Sequence, residues 1–272
     1  MANTYYLTSA SQGLVIDIKE GSNGSTGSGS LLQALNQKPE NNQYWSFEPV
    51  SSKPGYFHIV SADQGLAIDI KEGSNGSVGS GSPLQALNKK DEDNQYWTTL
   101  PIAGNSTHFW LLSASEGLAI DIKESSNGSF GSGSPLQALT QKTEANQHWF
   151  VQAATGNSYN PVIKSFTTDI NLSDDVETVS IAGTGFFPGS MLIIQGSFTD
   201  SNGTLTQGSQ LYTQADLGGN FDLATAPGSL GLSEFVGQFD VTVICTQISS
   251  NPFTASANWN GGSFSDFAYQ GL

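Results

Sequence analysis

Residues 65–97 read GLAIDIKEGSNGSVGSGSPLQALNKKDEDNQYW, and the same stretch stands, lightly edited, at 13–45 and 117–149. Asp17, Asp69 and Asp121 are 52 residues apart, as are Trp45, Trp97 and Trp149. The upstream pieces YYLTSASQG, FHIVSADQG and FWLLSASEG keep the same step from Tyr5, Phe57 and Phe109. In LAIDI, Leu66, Ile68 and Ile70 fall on one face and Ala67 and Asp69 on the other, the period-two pattern of a strand. EGSNGSVGSGSP is almost all Gly, Ser, Asn and Pro and reads as a loop. A short apolar run, LQAL, and the closing QYW complete the unit, and no helical periodicity runs through it. Four short strands per unit and three units predict about twelve strands. One unit alone cannot cover its apolar face, so the copies must close on one another.

The period ends near 153, and the polar stretch ATGNSYNP follows. This predicts a domain over 1–155, with repeats 1–52, 53–104 and 105–155, and a second domain over 156–272. In the second, QFDVTVICTQI alternates Phe239, Val241, Val243 and Cys245 against Asp240, Thr242 and Thr246. VSIAGTGFFPGSMLIIQGSF carries a Phe187-Pro188-Gly189-Ser190 turn between two apolar runs, and further turns stand at 218–220 and 226–229. About seven strands in this half predict an antiparallel sandwich.

The 272 residues include 9 basic and 24 acidic side chains, a net charge of −15, and every basic residue is lysine. Such a chain has no basic patch with which to bind nucleic acid. It has no apolar run of about 18 residues that would span a bilayer, so membrane insertion is not expected. Its start, MANTYYLTSASQG, lacks the apolar core of a signal peptide, which leaves a soluble protein of either cytoplasmic or secreted location. The single cysteine, Cys245, allows no internal disulfide and no cysteine zinc site, and reads as a core thiol.

Each repeat closes on a Gln-x-Trp triplet: Gln43-Tyr44-Trp45, Gln95-Tyr96-Trp97 and Gln147-His148-Trp149, each after an asparagine. In this signature, its spacing and the I-D-I-K segments, residues 1–153 resemble the ricin-B-type (R-type) lectin family. The resemblance implies an all-β fold with an N-terminal β-trefoil. The phrases IAGTGFFPGS and ADLGGNFD resemble the Ig-like β-sandwich domains of bacterial multidomain proteins. A spacer, a homo-oligomer contact or a partner-docking surface would each suit that second domain.

The three Trp and the adjacent Gln43, Gln95 and Gln147 read as structural, with the indole N–H satisfied inside and the Gln on backbone. An aspartate inside an apolar strand is unusual unless something uses it. A carboxylate accepts hydrogen bonds and an asparagine amide both donates and accepts, so Asp17/Asn42, Asp69/Asn94 and Asp121/Asn146 suit neighbouring sugar hydroxyls. The competing reading has each Asp capping the Gly/Ser loop behind it. The family resemblance adds Gln33, Gln85 and Gln137 to the sugar clamp and implies terminal galactose or N-acetylgalactosamine as ligand. Where that family places a stacking ring, this chain has Leu35, Leu87 and Leu139. Tyr44, Tyr96, His148 and Phe130 are the candidate replacements.

No catalytic motif competes with this reading. Gly183-x-Gly185 runs into a Phe-Phe-Pro turn, not a helix. The three histidines occupy non-equivalent repeat positions without metal-ligand spacing, so no metal or other cofactor is expected. The expectation is a non-enzymatic, multivalent carbohydrate-binding lectin whose partners are glycans. The alternatives are a protein-interaction or protease-inhibitor trefoil and a module that targets an enzyme to polysaccharide.

Overall fold

In the computed structural model, residues 3–102, 108–154, 161–170, 176–232, 237–245, 253–259 and 263–270 are described. The chain divides into two compact units, Met1–Ser158 and Tyr159–Leu272. Most of the expected linker, 155–160, lies outside the described residues, as does Thr246.

Among the described residues, twelve strands build the N-terminal unit. Repeat 1 holds β1 (Tyr5–Ser9), β2 (Val15–Ile18), β3 (Ser30–Leu35) and β4 (Trp45–Pro49). Repeat 2 holds β5 (Phe57–Ser61), β6 (Leu66–Ile70), β7 (Ser82–Asn88) and β8 (Trp97–Pro101). Repeat 3 holds β9 (Phe109–Ser113), β10 (Ala119–Ile122), β11 (Ser134–Leu139) and β12 (Trp149–Ala153). Antiparallel pairings β1–β4, β4–β5, β5–β8, β8–β9, β9–β12 and β12–β1 close six strands into a ring. The hairpins β2–β3, β6–β7 and β10–β11 stand on it and meet in a triangle through β3–β7, β7–β11 and β11–β3. This is a β-trefoil, and closure leaves the ring strands without a free edge.

The predicted alternation is present, yet both faces of β5 and β6 are buried. Ala67 and Asp69 therefore sit inside the unit, each under 2 % exposed. Trp45, Trp97 and Trp149 are fully buried, and their indole N–H groups donate to Ile16 O, Ile68 O and Ile120 O at 3.0, 2.9 and 2.9 Å. The Gly/Ser loops fasten one repeat to another. Ser28 Oγ accepts from Asn88 N, Ser80 Oγ from Thr140 N and Ser132 Oγ from Asn36 N, at 3.0–3.2 Å. Much of the polarity of these loops is thus structural.

The C-terminal unit is also all-β, with eight strands among the described residues. They are β13 (Val162–Ile170), β14 (Val176–Thr184), β15 (Met191–Asp200), β16 (Leu205–Gln214), β17 (Phe221–Thr225), β18 (Gly237–Cys245), β19 (Phe253–Trp259) and β20 (Phe264–Gln270). They form two antiparallel sheets, ordered β13-β14-β17 and β16-β15-β18-β19-β20. Phe166 of the first sheet meets Phe239 and Phe264 of the second, ring centroids 5.3 and 5.4 Å apart. Phe239, Val241, Val243 and Cys245 are buried, with the Cys245 thiol 3.2 Å from Ser190 Oγ. In the expected 187–190 turn, Ser190 N donates to Phe187 O and Gly189 takes φ +69°. Pro followed by Gly suits a turn that requires positive φ at its third residue.

Candidate carbohydrate site

The site is assembled by strand register and a single turn. In each β2–β3-type hairpin the Asp lies directly across from a Gln: Asp17 from Gln33, Asp69 from Gln85, Asp121 from Gln137. A short 3-10 turn, Asn41–Gln43, Asp93–Gln95 or Ala145–Gln147, then delivers Asn and Gln side by side to the same carboxylate. Asp17 Oδ1 accepts from Gln33 Nε2 at 2.8 Å, and Oδ2 accepts from Asn42 Nδ2 and Gln43 Nε2 at 3.1 Å each. Repeat 2 gives 2.7, 3.1 and 3.1 Å and repeat 3 gives 2.8, 3.0 and 3.3 Å. The structure thus brings Asp, Gln and Asn together in every copy.

The same geometry disposes of one competing reading and extends another. First, the Asp does not cap the Gly/Ser loop: the loop turns on itself, with Gly21 N donating to Ser25 O and Ser25 N to Asn23 Oδ1. Second, Gln43, Gln95 and Gln147 do more than bond backbone. Each does grip its own repeat, accepting from Lys38 N, Lys90 N or Lys142 N at 2.7 Å, while its amide also donates to the Asp. The Gln-x-Trp signature named these residues without revealing that they orient the carboxylate.

Burial pushes the carboxyls of Asp17, Asp69 and Asp121 above the usual aspartate range, against the opposing pull of their Gln donors. Each Asn spends its amide N–H groups on the Asp and on the carbonyl of Ile18, Ile70 or Ile122 at 3.2–3.3 Å. Both partners are acceptors, so the amide orientation is fixed. Asn94 Oδ1 and Asn146 Oδ1 are consequently buried acceptors without a hydrogen-bond partner. In repeat 1 the cluster opens on a cavity of about 260 Å³, lined by Asp17, Gln33 and Asn42 with Lys19, Leu35 and Lys38 at its sides. The rim ion pairs Lys38–Glu40, Lys90–Glu92 and Lys142–Glu144 span 3.5–3.8 Å between exposed side chains. Pairs of this kind contribute little to stability.

The candidate stacking residues Tyr44, Tyr96 and His148 pack on neighbouring rings. Tyr44 packs edge-on against Tyr6, Tyr96 against His58 and His148 against Trp110, at 5.0, 5.1 and 5.3 Å. The partner residues occupy equivalent repeat positions and use three chemistries for one task. Tyr6 Oη and Trp110 Nε1 donate to Lys38 O and Lys142 O, and His58 Nε2 stands 2.9 Å from Lys90 O. The partner rings thus hold the rim carbonyls, and Tyr44 does not line the repeat 1 cavity. Phe130 is half-buried in its loop, where its carbonyl accepts from Gln12 Nε2 at 3.0 Å. No group of His, Cys, Asp and Glu suited to a metal ion exists among the described residues.

Residues 41–137 match the family model of the ricin-type beta-trefoil lectin domain-like proteins. The matched residues run from the turn before β4 to β11, within the N-terminal β-trefoil. A ricin B-like lectin from Macrolepiota procera, solved in complex with lactose, is 22 % identical, with TM-score 0.45 over 57 % of this chain and 98 % of that one. The Rhizoctonia solani agglutinin is 16 % identical, with TM-score 0.46 over 57 % and 96 %. A mosquitocidal holotoxin is 12 % identical, with TM-score 0.48 over 97 % of this chain but 29 % of its own. A search of curated proteins finds no match. No helix among the described residues is long and apolar enough to cross a membrane.

Proposed function

We propose that the ricin-B-like unit, over residues 1–155, is a non-enzymatic reader of glycans with up to three equivalent sites, one per repeat. The observation that carries this reading is the triplicated Asp–Gln–Asn cluster, a carboxylate aligned by three amides, which in repeat 1 opens on a cavity. The family match supports the same ligand class. Terminal galactose or N-acetylgalactosamine is the proposed sugar. Leu35, Leu87 and Leu139 would offer its apolar face a packing surface without an aromatic quadrupole. Each site is then weak alone, and simultaneous engagement of several supplies avidity on glycan-dense surfaces. The C-terminal unit, over 156–272, is proposed as an Ig-like sandwich that joins copies of the chain or docks a partner. Its edge strand β16 exposes Leu205 and Tyr212, each more than half accessible.

A glycan array comparing the native chain with Asn42→Ala/Asn94→Ala/Asn146→Ala tests the reading. A defined glycan signal that vanishes in the folded triple variant is expected. Binding that survives the variant would place the sugar elsewhere, and a blank native array would favour a protein-interaction role.

The raised Asp carboxyls also predict a pH dependence with opposite signs for binding and stability. Binding that uses the ionised carboxylate is complete at neutral pH and is lost as pH falls through the raised value, above the ordinary aspartate range. Stability from these groups runs the other way: it is fully present below the unfolded value and is lost as pH rises through the folded one. Glycan release in mild acid with unchanged circular dichroism is therefore expected from a titration. A binding curve that stays flat down to the ordinary aspartate range would contradict it.

A further inference from the structure

A second cavity, of about 350 Å³, lies where repeat 1 meets repeat 2. It shares Glu20, Glu40 and Asn42 with the cavity at Asp17, so the two are lobes of one groove. Its far wall belongs to both repeats. Thr26 Oγ1, from the Gly/Ser loop of repeat 1, donates to Asp63 Oδ2 of repeat 2 at 2.7 Å. Gln64 Nε2 donates back to Thr26 O at 3.0 Å and to Thr26 Oγ1 at 2.9 Å.

The other two joints carry different chemistry at the same positions. Where repeat 3 meets repeat 1, Phe130 and Ser11 replace Thr26 and Asp63, and Gln12 makes the amide bond to the loop. Where repeat 2 meets repeat 3, the residues are Val78 and Ser115, and Glu116 stands where the other joints have Gln. A carboxylate cannot make the amide's donation. The hydroxyl-and-carboxylate wall therefore belongs to the first joint.

We propose that this joint is a second sugar subsite, so that the repeat 1 site takes an oligosaccharide of at least two rings. The proposal rests on the glycan-binding reading of Asp17 and Asn42, and extends it from a terminal sugar to the ring behind it. Glu20, Glu40 and Asp63 present acceptors, which match the hydroxyl donors of a neutral ring or the ammonium of an amino sugar. Thr26 fixes the Asp63 carboxylate, which retains lone pairs for such donors. A sialylated, sulfated or uronic second ring meets three like charges and is rejected. Each lobe is near the lower end of the volumes small-ligand sites occupy. The three sites are then alike for the first ring and unlike for the second, with valine and phenylalanine at the remaining joints.

The test uses the full chain with Asn94→Ala/Asn146→Ala, which leaves the repeat 1 site to be read alone. A glycan array presents each terminal monosaccharide by itself, extended by a neutral ring, and extended by sialic acid. The comparison chain adds Thr26→Val/Asp63→Ser, residues this protein already carries at its second joint, with a thermal melt to confirm folding. The neutral two-ring glycan is expected to bind about tenfold more tightly than its monosaccharide, and the sialylated one no more tightly than the monosaccharide. In the comparison chain the ratio of two-ring to one-ring affinity falls to near one. An unaltered ratio, or a preference for the sialylated form, overturns the subsite while leaving the repeat 1 site in place. Absence of all glycan binding by the native chain overturns the glycan-binding reading and this proposal with it.

Discussion

Trp97→Ala is expected to lower the melting temperature of the N-terminal unit by roughly 6–20 °C. Trp97 is fully buried, and deleting so large a core ring costs about 3–5 kcal/mol, with each kcal/mol worth about 2–4 °C in a domain of this size. The loss also strips Ile68 O of the indole N–H that reaches it at 2.9 Å. That carbonyl lies one residue before Asp69, so the damage reaches the cluster as well as the core. Trp97→Phe separates the two effects, because it restores most of the ring volume and none of the hydrogen bond. Calorimetry of both variants measures them, and a shift under about 4 °C for the alanine would show that the core collapses to fill the gap.

Asp69→Asn is expected to remove the repeat 2 site. The substitution is nearly isosteric, yet it exchanges an acceptor-only group for one with two donors of its own. Gln85, Asn94 and Gln95 all aim amide N–H groups at that carboxylate, so at least one donor loses its partner. A hydrogen bond to a charged group is worth about 1.5–3 kcal/mol, roughly tenfold to a hundredfold in affinity. The burial penalty on the charge disappears at the same time, which moderates the stability loss. Titration calorimetry with the glycan found on the array should lose one binding equivalent. An intact stoichiometry would mean that repeat 2 never bound sugar through Asp69.

The architecture was largely legible because it is written three times. A 52-residue period, alternating apolar positions and Gly/Ser loops constrain a chain toward three hairpin pairs that can bury themselves only by closing. The aspartates were legible for a related reason, since a charge inside LAIDI conflicts with its neighbours. What the pattern concealed was contact between distant positions. Nothing in the local sequence marks Ser28, Ser80 and Ser132 as fasteners between repeats, because a serine in a Gly-rich loop reads as solvent-facing. The surroundings of Tyr44, Tyr96 and His148 were equally hidden. Their place close after Asn suggested a role at the ligand, but each stands just past the 3-10 turn that aims Asn and Gln at the Asp, and its ring packs on Tyr6, His58 or Trp110. The Lys38, Lys90 and Lys142 carbonyls that these partners hold have no sequence signature at all.

The pairing of β1 with β12 reaches beyond recognition, to how the protein is made. Tyr5 to Ser9 lie against Trp149 to Ala153, so the first strand of the unit waits for its last. Hairpins such as β2–β3 can form early, but the ring shuts only after all three repeats have emerged, and closing so long a loop is slow. Until then β1 presents an unpaired edge, the condition in which a nascent chain is most open to joining its neighbour's strands. The second unit follows the third repeat in the chain, so the ring can close while that unit is still being made.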